Sequence, residues 1–128
     1  MDGGSSTWEG MSWEELARLA KSMENTIDGK LLTLGRLTSA ALRAHRYEGV
    51  HRGSRESPLE SAERLAGEVG EELRVLALLI ETLCSRMETS AGPVGSLHQL
   101  QRHRDIFSEY SKEFRKTRVT MGMVRPKL

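Results

Sequence analysis

The residues with the most chemical potential lie together between Leu100 and Thr117, in the segment LQRHRDIFSEYSKEFRKT. This segment combines a cluster of basic residues and a histidine with three aromatic residues at helical spacing. Three kinds of site could use that combination: a helix that binds nucleic acid, a metal site, or one side of a helical bundle. The rest of the sequence distinguishes between them.

The histidines and the cysteine do not form a metal-binding pattern. His98 and His103 are five residues apart, whereas two zinc ligands on one helix face follow an i, i+4 pattern. We expect His103 to be an imidazole at the edge of the core with a hydrogen-bond partner; the alternative is a histidine that titrates between about pH 5 and 8. Cys84 is the only cysteine, which fits a half-buried side chain in a protein of a reducing compartment.

The sequence also lacks the residue patterns of an enzyme. It contains no glycine-rich phosphate loop and no nucleophile elbow. Adjacent carboxylates such as Glu71 and Glu72 fall on helix faces that we expect to be solvated. We therefore predict a protein that is not an enzyme, with no catalytic residue, no cofactor, no metal ion and no small-molecule substrate.

The composition is that of one modest domain. The chain has 128 residues, of which 38% are hydrophobic and 29% charged, and its net charge is +1. A net charge near zero gives no general attraction to nucleic acid or to an anionic membrane. The longest apolar run, VLALLI at 75–80, is too short to span a bilayer, which takes about 20 residues. The amino terminus has neither the basic nor the apolar region of a secretory signal.

The first helix is predicted over about 12–45. Ser12 and Glu15 have the spacing of a capping box, in which each side chain accepts a hydrogen bond from the backbone N–H of the other residue. Apolar residues then recur in steps of three and four, apart from one step of seven in which Lys30 occupies the skipped position with Leu31 beside it. These seam residues are Trp13, Leu16, Ala20, Met23, Ile27, Leu34, Leu37 and Ala41.

Two further helices are predicted over 58–89 and 97–124. Ser57 with Glu60, and Ser96 with Gln99, repeat the capping-box spacing. The second seam is Ala62, Ala66, Val69, Leu73, Leu76, Ile80, Leu83 and Met87. The third seam takes in the aromatic residues of the segment described first, and it consists of Leu100, His103, Phe107, Tyr110, Phe114, Thr117, Met121 and Val124.

These patterns predict an all-α fold. Three helices with narrow apolar stripes, and no segment with the alternation of a strand, favour an up-down-up antiparallel three-helix bundle over 12–124. We expect 1–11 to be a disordered tail, 43–57 an exposed basic linker and 125–128 a second tail. The acidic second helix is expected to pack against the basic third helix through their opposite charges.

Two stretches resemble a known family. They are SWEELARLAKSMENTIDGKLLTLGRL at 12–37 and LHQLQRHRDIFSEYSKEFRKTR at 97–118. Both resemble the N-terminal, cytosolic half of the Golgi SNAP receptor complex member one family, which are Golgi SNAREs of the Qb type. Residues 43–96 share only the plan of a polar linker followed by an amphipathic helix. The most specific marks are Trp13-Glu14, Met23-Glu24-Asn25, the run LQRHRDI from Leu100 to Ile106, Tyr110, Glu113-Phe114 and Lys116-Thr117.

The resemblance implies a function in vesicle transport and membrane fusion, between the endoplasmic reticulum and the Golgi and within the Golgi stack. In such proteins an N-terminal helical region regulates a SNARE motif, which zips with partner helices and is followed by a membrane anchor. The implied partners are SNAREs of the syntaxin-type Qa, Qc and R classes and tethering factors. The implied location is the cytosolic face of the Golgi membrane.

The sequence departs from the family pattern after Thr120, where it reads MGMVRPKL and contains no SNARE motif and no anchor. Gln99 and Gln101 lie at the start of the third helix and do not match the central glutamine of that motif. We therefore expect the regulatory bundle alone, with no membrane span, and we expect this chain by itself to be cytosolic.

Basic residues that lie off the third seam form the candidate protein-binding face, which consists of Arg102, Arg104, Lys112, Arg115 and Lys116. The alternative function is a coiled-coil adaptor that self-associates through its seams and has no role in fusion. A third alternative, an RNA-binding helical domain that uses 43–55 and 102–118, is disfavoured. No aromatic platform accompanies the charges of the linker, and the net charge is only +1.

Overall fold

The computed structural model describes residues 8–46, 57–89 and 95–124. They form three helices: α1 at Trp13–Arg46, α2 at Pro58–Thr89 and α3 at Ser96–Val124. Within these residues there is no strand, and the all-α prediction is confirmed. Each helix bound lies within one residue of its predicted position. None of the described helices combines the length and the hydrophobicity needed to cross a membrane.

Two helices begin with the capping boxes that the sequence predicts. At α1 the Ser12 backbone N–H donates to Glu15 Oε1 at 2.8 Å, and the Glu15 N–H donates to Ser12 Oγ at 3.1 Å. Ser57 and Glu60 form the same pair of bonds at α2, at 3.0 and 3.1 Å. These bonds satisfy N–H groups that the first turn of a helix leaves without an intrahelical partner.

The start of α3 differs, and the predicted capping role of Ser96 is wrong. The Gln99 N–H donates to the carbonyl oxygen of Gly95 at 3.0 Å, so Gly95 holds the capping position. Ser96 is the first helical residue and is 4% exposed. Gly95 has a φ of 88°, in the left-handed region that a residue without a Cβ adopts without steric cost.

The contacts between helices define the chain direction. Arg86, near the end of α2, donates to the carbonyl oxygen of Met11, just before α1, so α2 runs antiparallel to α1. Glu24 and His103 are in contact and both lie in the first half of their helices, so α1 and α3 run parallel. The predicted up-down-up bundle is therefore confirmed.

The core is built from the predicted seams, and it has two parts. The larger cluster fills the end of the bundle where α1 and α3 begin, and it includes the fully buried Leu16, Ile27, Leu76, Leu83 and Leu100. The smaller cluster lies at the other end and consists of Leu34, Ala62, Ala66 and Met121. Both clusters bury apolar side chains from more than one helix. This burial is the main term that stabilises such a bundle.

At the skipped seam position of α1, Leu31 is the buried residue, at 8% exposed. Lys30 points toward α2, where its Nζ pairs with Glu72 Oε2 at 2.5 Å and with Glu68 Oε1 at 3.2 Å. The hydrogen bonds to Glu72 and then Glu68 raise the pKa of Lys30 above its ordinary value. The sequence predicts that the acidic α2 pairs with the basic α3. These two acidic residues of α2 pair with α1 instead.

The prediction of a disordered tail over 1–11 does not hold for residues 8–11, because a large apolar side chain is buried there. Trp8 is 9% exposed and Met11 packs against the larger cluster. Arg86 donates to the carbonyl oxygens of Met11, Trp8 and Glu9 at 2.6, 2.9 and 3.2 Å. Residues 43–46 of the predicted linker belong to α1, whereas 1–7, 47–56 and 125–128 lie outside the described residues.

Candidate protein-binding surface

The candidate binding face lies on the outer surface of α3. All five of its side chains are exposed, and none forms an ion pair with another residue in the described part of the chain. Their positive charges are therefore available to a partner. These residues are Arg102, Arg104, Lys112, Arg115 and Lys116.

The five residues do not form one narrow stripe. Because each residue of an α-helix is rotated by about 100° from the one before, they are distributed over about 160° of the α3 surface. Arg104 turns toward α2, where its Nη2 lies 3.2 Å from the Cys84 Sγ. Arg102 turns toward α1 and lines a groove between the two helices. A single partner helix could contact Lys112, Arg115 and Lys116, which lie between these two residues. It could not contact Arg102 and Arg104 at the same time.

The groove between α1 and α3 has a volume of about 310 Å³. Its rim carries the cations Arg18, Lys21 and Arg102 together with the acidic Glu14, and its floor is formed by Glu24 and His103. The rim cations are exposed, whereas the floor residues are 5% and 8% exposed. The groove therefore combines a basic entrance with a buried polar pair.

The buried pair explains the position of a histidine on the third seam. His103 Nδ1 and Glu24 Oε2 are 2.6 Å apart. A buried imidazole and a buried carboxylate each need a polar partner, and here each supplies it to the other. The prediction of His103 as a core-edge imidazole with a hydrogen-bond partner is confirmed.

Sequence reasoning missed Glu24, although the spacing contains a signal for it. The buried positions of α1 between Ala20 and Ala41 are 20, 24, 27, 31, 34, 38 and 41, an uninterrupted alternation of steps of four and three. A seam that follows only apolar residues selects the half-buried Met23 and Leu37 instead and then appears to skip a step. Accepting the polar Glu24 and Thr38 as seam residues would have removed that gap.

Tyr110 lies beside this polar region and is half-buried. Burial, followed by the negative charges of Asp28, Glu24 and Glu109, raises the pKa of its phenol above the ordinary value. Tyr110 therefore stays neutral near pH 7. It lines a separate cavity between α1 and α3, together with Asp28 and Glu109.

No metal-binding cluster is present in the regions that the structure describes, since no three His, Cys, Asp or Glu side chains converge there. Cys84 is half-buried and lies near Arg104 and the Glu88 carboxylate. These contacts place the thiol at the surface between α2 and α3, where it acts as a small packing residue.

The chain is similar to a known family over nearly its whole length. The model of the family described as GOSR1 N-terminal domain matches residues 10–127. Golgi SNAP receptor complex member 1 is 30% identical to the chain over 123 residues in Pongo abelii and 33% over 125 residues in Cricetulus griseus. The protein of the same name in Caenorhabditis elegans is 28% identical over 122 residues.

These alignments cover 88% of this chain and 50%, 50% and 49% of the three relatives. The chain thus spans about half the length of the curated relatives it matches. No solved structure is significantly similar to it.

Proposed function

Because the chain belongs to the GOSR1 N-terminal domain family and is thus the N-terminal domain of a Golgi SNARE, we propose that it regulates vesicle fusion by binding helices of other proteins. The observation that carries this proposal is the family match over 10–127, which includes all three helices. SNARE proteins are non-enzymatic components of membrane traffic. The role of this domain is therefore binding, and its ligand is another protein.

The process in which it acts is transport between the endoplasmic reticulum and the Golgi and within the Golgi stack. Its partners are SNAREs of the syntaxin-type Qa, Qc and R classes and tethering factors. Its place of action is the cytosolic face of the Golgi membrane.

The outer surface of α3 is the part of the bundle that supports this binding. Lys112, Arg115 and Lys116 are exposed within little more than one helical turn, so an acidic helix of a partner could lie across them. Such charges mainly accelerate association and select the partner's orientation, while apolar contacts hold the complex.

A self-associating adaptor is the less favoured function. It requires open seams, and the seams of α1, α2 and α3 are buried against one another within one chain. No apolar stripe of comparable length is left on the described surface for a coiled coil with a second copy.

Titration of the purified chain against the purified cytosolic part of a Golgi SNARE of the syntaxin type tests the proposal. We expect the double substitution Lys112→Glu with Lys116→Glu to weaken binding by at least about tenfold, because it converts two attractions into two repulsions. The matched control is Arg18→Glu with Lys21→Glu, which makes the same charge change on α1.

Equal weakening by both pairs would remove the α3 surface from the proposal. Absence of binding to SNAREs of all three classes and to tethering factors would overturn the proposed function as a whole.

A further inference from the structure

The net charge of +1 conceals an uneven distribution of charge along the bundle. No aspartate or glutamate occurs from 29 to 46 in α1 or from 114 to 124 in α3. Because α1 and α3 run parallel, these two portions lie at the same end of the bundle. Their exposed cations, here called the basic end, are Arg36, Arg43, Arg115, Lys116 and Arg118.

The acidic residues near the basic end lie on or beside other surfaces. Glu60 and Glu63 belong to α2, and Glu68 and Glu72 of α2 are turned toward Lys30. Glu113 of α3 lies at the border of the basic end. The positive potential is therefore concentrated on the side formed by α1 and α3.

Exposed apolar side chains accompany these cations. Of the five large hydrophobic residues exposed among the described residues, three lie at or next to the basic end: Leu32 at 58%, Val119 at 64% and Met123 at 66%. Val119 and Met123 are four residues apart on one face of α3, with Lys116 one turn before them. These side chains project from the bundle and contribute nothing to its core.

An open groove runs along the α1 part of this surface. It has a volume of about 610 Å³ and is lined by Leu32, Arg36 and Arg43 of α1 and by Glu113 of α3, among others. Neither Arg36 nor Arg43 forms an ion pair with any residue that the structure describes. The groove thus has an apolar wall and two cations on α1, with the acidic Glu113 on α3.

We propose that the basic end is a docking surface for an anionic phospholipid membrane. Arg36, Arg43 and Lys116 attract the lipid headgroups, and Leu32, Val119 and Met123 enter the boundary between headgroups and acyl chains. Basic residues interspersed with exposed apolar ones are the combination that binds such interfaces. This inference goes beyond the proposed function and does not rest on it.

A membrane fits this surface better than an acidic protein segment does. Arg36 and Arg43 line the open groove, whereas Arg115, Lys116 and Arg118 lie outside it. The cations are therefore spread over two parallel helices and are not gathered around one groove. Val119 and Met123 are exposed on α3 and line neither this groove nor the groove beside His103. Lys116, Val119 and Met123 lie within about 60° of one another on α3. Leu32, Arg36 and Arg43 lie within about 40° of one another on α1, so a planar partner can contact the side chains of each set together.

Flotation of the whole chain with vesicles tests the proposal. We expect binding to phosphatidylcholine vesicles that contain about 30% phosphatidylserine, no binding to pure phosphatidylcholine, and weaker binding as salt is added. Arg36→Glu with Arg43→Glu should weaken binding by at least about tenfold, since each cation near an anionic leaflet contributes about fivefold. Val119→Ser with Met123→Ser should also weaken binding without any change of charge.

The matched control is again Arg18→Glu with Lys21→Glu, which alters the same helix at the other end of the bundle. Circular dichroism verifies that each variant is folded. Absence of binding by the parent chain, or equal loss in the control, overturns the proposal. Full binding by Val119→Ser with Met123→Ser also overturns it, because attraction between charges would then account for the binding without entry of apolar side chains.

The proposal of membrane docking and the proposal of SNARE binding can be contradicted independently of each other. Arg36 and Arg43 are not part of the candidate protein-binding face, so their substitution should leave SNARE binding unchanged while vesicle binding is lost. Loss of vesicle binding alone would leave the regulatory function in place.

Discussion

At the scale of single residues, the contact between Glu24 and His103 links α1 to α3 through the two ionisable side chains that are buried among the described residues. A buried pair of this kind adds little relative to an apolar pair of the same shape. Removing one member, however, leaves the other buried without a partner. The two substitutions should therefore be strongly coupled.

We expect Glu24→Ala and His103→Ala each to lower the free energy of unfolding by about 2–4 kcal/mol. The double variant should lose at least about 1 kcal/mol less than the sum of the two. Urea unfolding followed by circular dichroism measures all four proteins. Glu109→Ala, which removes an exposed carboxylate of α3, should change the free energy by less than about 0.5 kcal/mol. Strict additivity would contradict the coupling.

Arg86 has a comparable role at the amino-terminal turn. Arg86→Ala should lower the free energy of unfolding by about 1–3 kcal/mol, because the guanidinium donates to three backbone carbonyl oxygens before α1. The tryptophan emission should also shift to longer wavelength, because the Trp8 side chain becomes more exposed to water. Arg74→Ala is the control, since Arg74 pairs only across the exposed surface with Glu71 and such pairs contribute less than about 1 kcal/mol. An unchanged emission maximum would refute the role of Arg86.

At the scale of the helices, short-range sequence patterns predicted most of the helix bounds and most of the buried faces. The capping boxes at Ser12 and Ser57 and the apolar periodicity depend on residues within one or two turns, so the sequence is sufficient to locate them. The start of α3 was not predictable in the same way. Gly95 caps it with a positive φ, a conformation that glycine permits but does not require.

The candidate binding face shows the same division. The exposure of Lys112, Arg115 and Lys116 follows from their positions opposite the third seam. The contacts of Arg104 with α2 and of Arg102 with the α1 groove depend on how helices pack. The spacing of α1 places Glu24 on the buried seam, but no local pattern identifies its partner, which is 79 residues away.

Glycines inside α1 are expected to be replaceable with a gain in stability. A Cβ at Gly29 or Gly35 meets no atom within 4 Å, so Gly29→Ala and Gly35→Ala should each raise the free energy of unfolding by about 0.5–1 kcal/mol. Gly95→Ala should lower it by about 1 kcal/mol because of the positive φ. Thermal unfolding of the three variants separates these cases; a loss of stability in the α1 variants would show that the helix needs its glycines.

At the scale of the whole molecule, the closed core determines the expected assembly. Leu16, Leu34, Leu76 and Leu100 are no more than 2% exposed and come from all three helices, so the seams are already occupied within one chain. We expect sedimentation equilibrium in the micromolar range to give the monomer mass of 14.3 kDa. A dimer or trimer would favour the adaptor function instead.

The parallel arrangement of α1 and α3 leaves one further requirement, since two parallel heptad surfaces can slide along each other and still bury apolar groups. A shift of α3 by one helical turn, about 5.4 Å, would bring Leu100 or Phe107 into the place of His103 and leave the Glu24 carboxylate facing hydrocarbon. Burying an unpartnered carboxylate costs several kcal/mol, roughly the stability of a small domain. The Glu24–His103 pair thus disfavours a bundle that is misaligned by one turn.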